Sequence, residues 1–294
     1  MALGLNKTKR RIASIRSTQK ITKAMEMVAT VKLKRFKDAH FAQEEYLNSL
    51  RLAMGSLFAA EGQEESIYGK PNGQAEGDLV VFITSDLGLC AAYNSNLFRF
   101  LDEKIDKEKD VILPVGEKGL NHLLHEGGYS LLEKEDIPLR LSSTHKEVQE
   151  SGEKLKKLFE EGRFRSIRIL YTRYVNSLRF EPSESVLLPI GLDYPKSPEE
   201  DYCPPLFEPS PKELIPLLMG QYLSGVLGGL LDESQLSEQA SRRNAMDSAN
   251  DNAEELLKQL SVEYNKARQA SITQEITEVV AGAGKKKKKK EANP

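Results

Sequence analysis

The chain has 294 residues, enough for one large or two modest domains, with 39% hydrophobic residues, no tryptophan and a formal net charge of -2. That near-neutral total carries no overall signature of nucleic-acid binding, and two distant cysteines, Cys90 and Cys203, supply neither a disulfide framework nor a metal quartet. No uninterrupted apolar run approaches the roughly 20 residues that cross a bilayer; the nearest is the glycine-interrupted YLSGVLGGLL at 222–231, so no direct membrane span is expected and any membrane association should run through a partner.

The first element is a long helix. Between Gly4 and Gly55 there is neither glycine nor proline, and at about 1.5 Å per residue such a stretch makes a rod of roughly 75 Å. Residues 1–60 are assigned to it. Ile21, Met25 and Val28 recur at spacings near 3.5 and predict a coiled-coil seam, with Ile12 and Ile15 leading into it. Residues 1–37 carry eleven lysines and arginines against the single acid Glu26. So dense a positive rod calls for an acidic partner surface. The basic N-terminus has no apolar core of a secretory signal and flows directly into the helical pattern, so it reads as mature protein.

The middle, about 77–208, changes period. DLVVFITS at 78–85, DVILPVG at 110–116 and YSLLEK at 129–134 are short β-rich runs, and helix candidates at 93–107, 119–127 and 145–162 separate or follow them. That alternation predicts an α/β layer with parallel strands. RSIRILYTRYV at 165–175 and LRFEPSESVLLP at 178–189 flank Asn176 and Ser177 and predict a closing β-hairpin.

A domain of this class invites a nucleotide reading, but the phosphate loops are missing. The turn after the first strand, SDLGLCAAYN at 85–94, has a single glycine in place of a Gly-rich cradle. His122, His125 and Glu126 share one predicted helix without a further ligand in the cluster, which favours a solvated helix surface over a metal site. Cys90 with any of His40, His122, His125 or His145 lacks the local signature of a nucleophile pair.

After a proline-rich segment at 195–216, residues 209–283 form the second long helix. Leu230 to Ala281 is free of glycine and proline, and Ala249, Ala253, Leu256, Leu260 and Ala267 predict its seam. Residues 284–294, KKKKKKEANP preceded by Gly284, form a lysine-rich tail expected to be disordered. One rod begins the chain and the other ends it, so a compact middle domain makes them antiparallel. The predicted fold is α/β: a long antiparallel coiled coil of N- and C-terminal helices plus a central Rossmann-like domain.

TQKITKAMEMVA at 18–29, AMDSANDNAEELLKQLSVEYNKARQASITQEITEVVAGA at 245–283 and SDLGLCAAYN at 85–94 resemble the gamma subunit of the rotary ATP synthase. The resemblance runs from about residue 3 to 283 and is strongest at the ends. It implies a shaft inserted into a ring of alternating alpha and beta subunits, with the α/β domain on the membrane c-ring beside the epsilon subunit. The complex would lie peripherally on the cytoplasmic face of a bacterial inner membrane. ATP chemistry would belong to the ring, leaving this chain without catalytic residues, cofactor, metal or nucleic acid.

By the same resemblance, Lys20, Lys23 and Met25 would face an acidic lever loop of the catalytic subunits. Arg268, Gln269 and Thr273 would meet loops deeper in the ring, and Ile276 to Val280 would sit in its apolar bearing. Arg242 and Arg243 would join the polar part of that interface. The sequence departs from the family at Leu87, where arginine is usual, at Ala91 and Ala92, which replace a glycine pair, and in the six-lysine tail; it lacks the cysteine-bearing insertion of the chloroplast type, so thiol control is not expected. A second class fits the residues alone, a coiled-coil scaffold or nucleic-acid adaptor using the basic rod; a third, a small-molecule enzyme on the α/β domain, would need a convergent polar pocket that the sequence does not reveal.

Overall fold

The computed structural model describes residues 2–61, 66–132, 137–191 and 206–291. In chain order the elements are α1 (Ala2–Glu61), β1 (Leu79–Ile83), α2 (Tyr93–Lys104), β2 (Val111–Val115), α3 (Glu117–Glu126), β3 (Ser130–Leu131), α4 (His145–Glu160), β4 (Ile167–Tyr174), β5 (Phe180–Leu188) and α5 (Pro211–Glu291). They form two compact units, residues 29–243 and residues 1–28 with 244–294. Part of the predicted third strand (residues 133 and 134), part of the proline-rich segment and Cys203 lie outside the described residues.

The larger unit is built on a five-stranded sheet in the order β3-β2-β1-β4-β5. Its first four strands are parallel, and β5 returns antiparallel to β4. The hairpin turn is held by Asn176, whose Oδ1 accepts from the backbone N–H groups of Leu178 and Arg179, both at 2.9 Å. Helix α4 starts with a capping box in which Thr144 and Glu147 satisfy each other's backbone N–H groups.

Because side chains alternate across a strand, LVVFI in β1 feeds two cores, and all five of its residues are buried. Leu79, Val81 and Ile83 point to the side covered by α1, α4 and α5; Val80 and Phe82 point to the side covered by α2 and α3. In this unit α1 and α5 run antiparallel: Leu33 packs with Leu236 and Ala240, and farther along α1 Leu47 meets Gly225 and Gly229.

Helix α5 begins well before its glycine-free stretch, running through Pro216, Gly220, Gly225, Gly228 and Gly229. Burial overrides the low helix propensity of these residues. A Cβ on Gly225 or Gly229 would lie 3.1 or 2.8 Å from the Leu47 side chain, so glycine sets how closely α1 approaches. One window of α5 is long and apolar enough to cross a membrane, unlike the expectation from uninterrupted runs, but over half of it is buried inside the protein.

In the smaller unit Asn250 joins the two helices. It accepts from Thr22 Oγ1 and donates to Glu26 Oε2 at 2.7 Å. The predicted seam is displaced here: Ile21 is 59% exposed and Val28 56%. The shielded positions are Ile12, Ile15, Gln19, Thr22 and Glu26, spaced three and four apart, with Met25 at their edge. The true seam is partly polar, so a search for apolar residues lands on the neighbouring face. On α5, Ala253 and Leu260 are buried as expected, whereas Leu256 and Ala267 are exposed and Leu257 is the partly shielded neighbour.

The α5 backbone remains helical through Lys285 to Lys290, where a disordered tail is expected. Lysine is a good helix former, and the next proline is Pro294.

Candidate functional site: a filled crevice and an outward-facing helix pair

In open α/β sheets ligands bind outside the carboxyl ends of the strands, where the strand order reverses. The order β3-β2-β1-β4-β5 puts that point between β1 and β4. Helix α5 closes it from the same unit. Ser234 Oγ lies 2.8 Å from the Tyr93 hydroxyl, Ser237 Oγ donates to the Thr172 carbonyl at 3.0 Å, and Ser241 Oγ donates to the Cys90 carbonyl at 2.7 Å. Arg242 Nη2 donates to the Leu87 and Gly88 carbonyls at 3.1 and 3.3 Å. The turn thus spends its carbonyls on α5.

Arg242 is placed inside the protein, with its guanidinium 2.6 Å from Glu238, and is 6% exposed. This corrects its expected place on a partner surface: the unsatisfied carbonyls of the 85–92 turn capture it. Arg243, one residue on, is exposed. Burial pushes the Glu238 carboxyl above its ordinary value, and the nearby Arg242 opposes that rise without cancelling it.

The turn itself is tied by Asn94, which donates to Ser85 Oγ at 2.7 Å and accepts from the Ser85 N–H at 3.2 Å. Leu89 and Ala91 both adopt positive φ, 62° and 47°. Cys90 is buried beside Ser85 and Asn94, and burial pushes its thiol upward, the opposite of an activated nucleophile. His122 stacks flat on Phe98 with ring centroids 3.9 Å apart. Among the described residues no group of three or more His, Cys, Asp or Glu side chains is arranged to hold a metal ion.

At the opposite ends of the strands lies an ion network. Arg168 reaches Asp110 at 2.9 Å and Glu184 at 2.8 Å, while Arg165 forks onto Asp78 at 2.8 and 3.0 Å. Burial alone would raise the Asp78 carboxyl, but hydrogen bonds from Arg165 and Ser166 and the charge of Arg168 hold it below its ordinary value. These residues bind strands together; sequence reasoning missed them because Arg165–Asp78 and Arg168–Asp110 lie 87 and 58 positions apart and meet through parallel pairing, while Glu184 joins from the antiparallel strand β5.

The remaining candidate residues lie in the smaller unit. Lys20, Lys23, Arg268, Gln269 and Thr273 are exposed, Met25 is partly shielded, and Thr273 Oγ1 donates to its own helix at Gln269 O, 2.9 Å away. Ile276 and Val280 are 59% and 65% exposed. Ile21, Met27 and Val28 add apolar surface on α1, and Val262, Ile272 and Val279 on α5. Apolar side chains repeated along exposed helices mark an interaction surface, and the basic residues of α1 give it a positive rim. Sequence reasoning placed Ile21 and Val28 inside; the polar run of Gln19, Thr22 and Glu26 was the available sign that the inward face lay elsewhere.

The sequence matches the ATP synthase family model over residues 4–284. It is 36% identical over 284 residues to the ATP synthase gamma chain of Mycoplasma mobile, spanning 95% of this chain and 98% of that protein. It is 37% identical over 282 residues to the ATP synthase gamma chain of Clostridium novyi, spanning 95% and 97%. The fold is similar to a chain in the Euglena gracilis mitochondrial ATP synthase structure of OSCP, F1 and c-ring in rotational state 3, with TM-score 0.70, 20% identity, and coverage of 100% of this chain and 98% of that one. A chain in the Tetrahymena thermophila mitochondrial ATP synthase central stalk and c-ring structure matches with TM-score 0.58 and 22% identity over 78% of this chain and 99% of that one. With the family model and these relatives spanning nearly its whole length, the chain belongs to the ATP synthase gamma chain family.

Proposed function

We propose that the chain is the non-catalytic central-stalk rotor of a proton-translocating ATP synthase, coupling ion flow through a membrane c-ring to conformational change in an alpha/beta ring. The complex would sit peripherally on the cytoplasmic face of a bacterial inner membrane, with the epsilon subunit beside the α/β domain. One observation carries this reading: α5 fills the ligand crevice of the α/β domain, while the smaller unit presents apolar and basic side chains outward.

A shaft needs no reacting group. An asymmetric helix pair cannot touch three equivalent catalytic subunits identically, so each angular position favours a different conformation at each site. Coupling is reciprocal, and ATP hydrolysis in the ring drives the shaft in reverse. Lys20 and Lys23, with Met25 at the seam edge, serve as contacts to the catalytic subunits; Arg268, Gln269 and Thr273 contact loops deeper in the ring; Ile276 and Val280 turn in an apolar bearing. Exposed lysines suit a sliding contact because screened, solvated charges attract without locking.

The test is co-purification followed by coupling. The chain should elute stoichiometrically with an ATP-hydrolysing ring, and Met25→Lys or paired Lys20→Glu and Lys23→Glu should change ATP-driven ion pumping in membrane vesicles. A chain that elutes alone and binds duplex DNA with a steep salt slope would establish the nucleic-acid adaptor instead.

A further inference from the structure

The six-lysine run at the end of α5 has no part in the shaft contacts proposed above. Lys285 to Lys290 are consecutive, and the α5 backbone stays helical through them to Glu291. On a helix rising about 1.5 Å per residue they put six positive charges into about 9 Å. The basic stretch of α1 spreads eleven over residues 1–37, about 55 Å. The tail thus carries one charge per roughly 1.5 Å against one per roughly 5 Å on α1, and only the tail matches the density of a phosphate backbone, about one per 1.7 Å in duplex DNA.

The chain supplies little to neutralise it. Lysines three and four positions apart repel along a helix, and the run contains three pairs of the first kind and two of the second. Glu291 is the one acid within that reach. The last acids before the run, Glu275 and Glu278, lie seven or more positions back, and their carboxylates accept from Ser271 Oγ at 3.4 Å and Gln274 Nε2 at 2.9 Å. A polyanion that docks here releases the small counterions of both partners and binds with that gain.

The composition selects among polyanions. Residues 281–291, AGAGKKKKKKE, contain no arginine, aromatic or large apolar side chain. Nothing there reads a base edge, stacks on a base or inserts into a lipid layer. Successive helical positions are about 100° apart, so six of them cover the whole circumference. A rigid duplex or a flat membrane meets one side of such a cylinder, whereas a flexible chain wraps it. We propose that Lys285–Lys290 is a binding site for inorganic polyphosphate, which lysine ammonium groups hold through its phosphate oxygens.

The experiment is titration of the full chain with medium-chain inorganic polyphosphate at several salt concentrations, with duplex DNA and vesicles of anionic phospholipid as separate arms. Polyphosphate should bind saturably, with log K falling against log salt at a slope of about -4, as six phosphate contacts on a flexible strand require. Replacing the whole run, Lys285→Gln through Lys290→Gln, should weaken binding at least about tenfold and flatten the slope. The triple variant Lys285→Gln, Lys287→Gln and Lys289→Gln should fall between the two. Thermal unfolding of both variants should match the parent, since Leu260 is the last buried apolar residue of α5 among the described residues. No saturable polyphosphate binding, unchanged affinity in the six-lysine variant, or tighter binding to duplex DNA or the vesicles than to polyphosphate would overturn the proposal.

Discussion

Arg242 holds Leu87 by its backbone: Nη2 lies 3.1 Å from the Leu87 carbonyl oxygen while the same guanidinium pairs with Glu238 at 2.6 Å. One side chain therefore ties the turn after β1 to the helix that fills the crevice. Removing it strands both a buried carboxylate and two carbonyls. Arg242→Ala is expected to lower unfolding free energy by about 3–5 kcal/mol, measured by urea denaturation. The double variant Arg242→Met with Glu238→Met should be less destabilised than Arg242→Ala, because no buried charge is left unpaired.

Ala91 adopts φ 47°, a left-handed conformation that strains a Cβ. Ala91→Gly relieves about 1–2 kcal/mol of that strain and costs about 0.4–1 kcal/mol through the freer unfolded chain. The balance favours glycine, with a net gain of up to about 1.5 kcal/mol. A rise in the urea midpoint would bear this out; a fall would show that the alanine methyl group packs favourably.

Gly152 on α4 faces Ser224 on α5. A Cβ there would lie 2.3 Å from Ser224 Oγ, 3.0 Å from its backbone N and 3.1 Å from its Cα. The hydroxyl can rotate away, but the backbone cannot. Gly152→Ala gains about 1 kcal/mol of helix propensity against an overpacking cost of about 1–3 kcal/mol. Overpacking should prevail and lower the unfolding midpoint, whereas an exposed helical Gly→Ala change would raise it.

Two groups of carboxylates give stability opposite pH slopes. The folded state holds Asp78 below its ordinary value of 3.8, so its contribution is present above that value and is lost as pH falls through the folded pKa. Glu238 is raised above its ordinary 4.5, chiefly by burial, so the folded state keeps a proton that the unfolded chain releases. Its effect is to lower stability as pH rises from about 4.5 through the folded pKa. Urea midpoints measured across this range should show Asp78→Asn flattening the acid limb and Glu238→Gln flattening the decline above about pH 4.5.

Much of the fold is legible in LVVFI, VILPV and the two helical ends, because period and punctuation are local properties. Every predicted strand and helix of the middle domain appears, with β3 reduced to Ser130 and Leu131 among the described residues. The seam of α1 is less legible: Thr22 and Glu26 face inward only because Asn250, over 220 positions away, completes their hydrogen bonds. Arg242 reads as a surface cation until the turn that captures it is in place. The predicted 209–283 helix does contain Gly225 and Gly229, which are tolerated there because the Leu47 side chain packs against the space their missing side chains leave.

Asn250 also fixes how the two helices of the smaller unit are indexed against each other. Sliding α5 by one heptad would bring Leu257 opposite Glu26, dehydrating a carboxylate against an alkyl group and leaving Thr22 without its partner. A single polar residue in a coiled-coil seam thereby forbids a displacement that purely apolar packing would tolerate. Axial load on one helix is then borne by its neighbour rather than lost to slippage, and the pair resists telescoping.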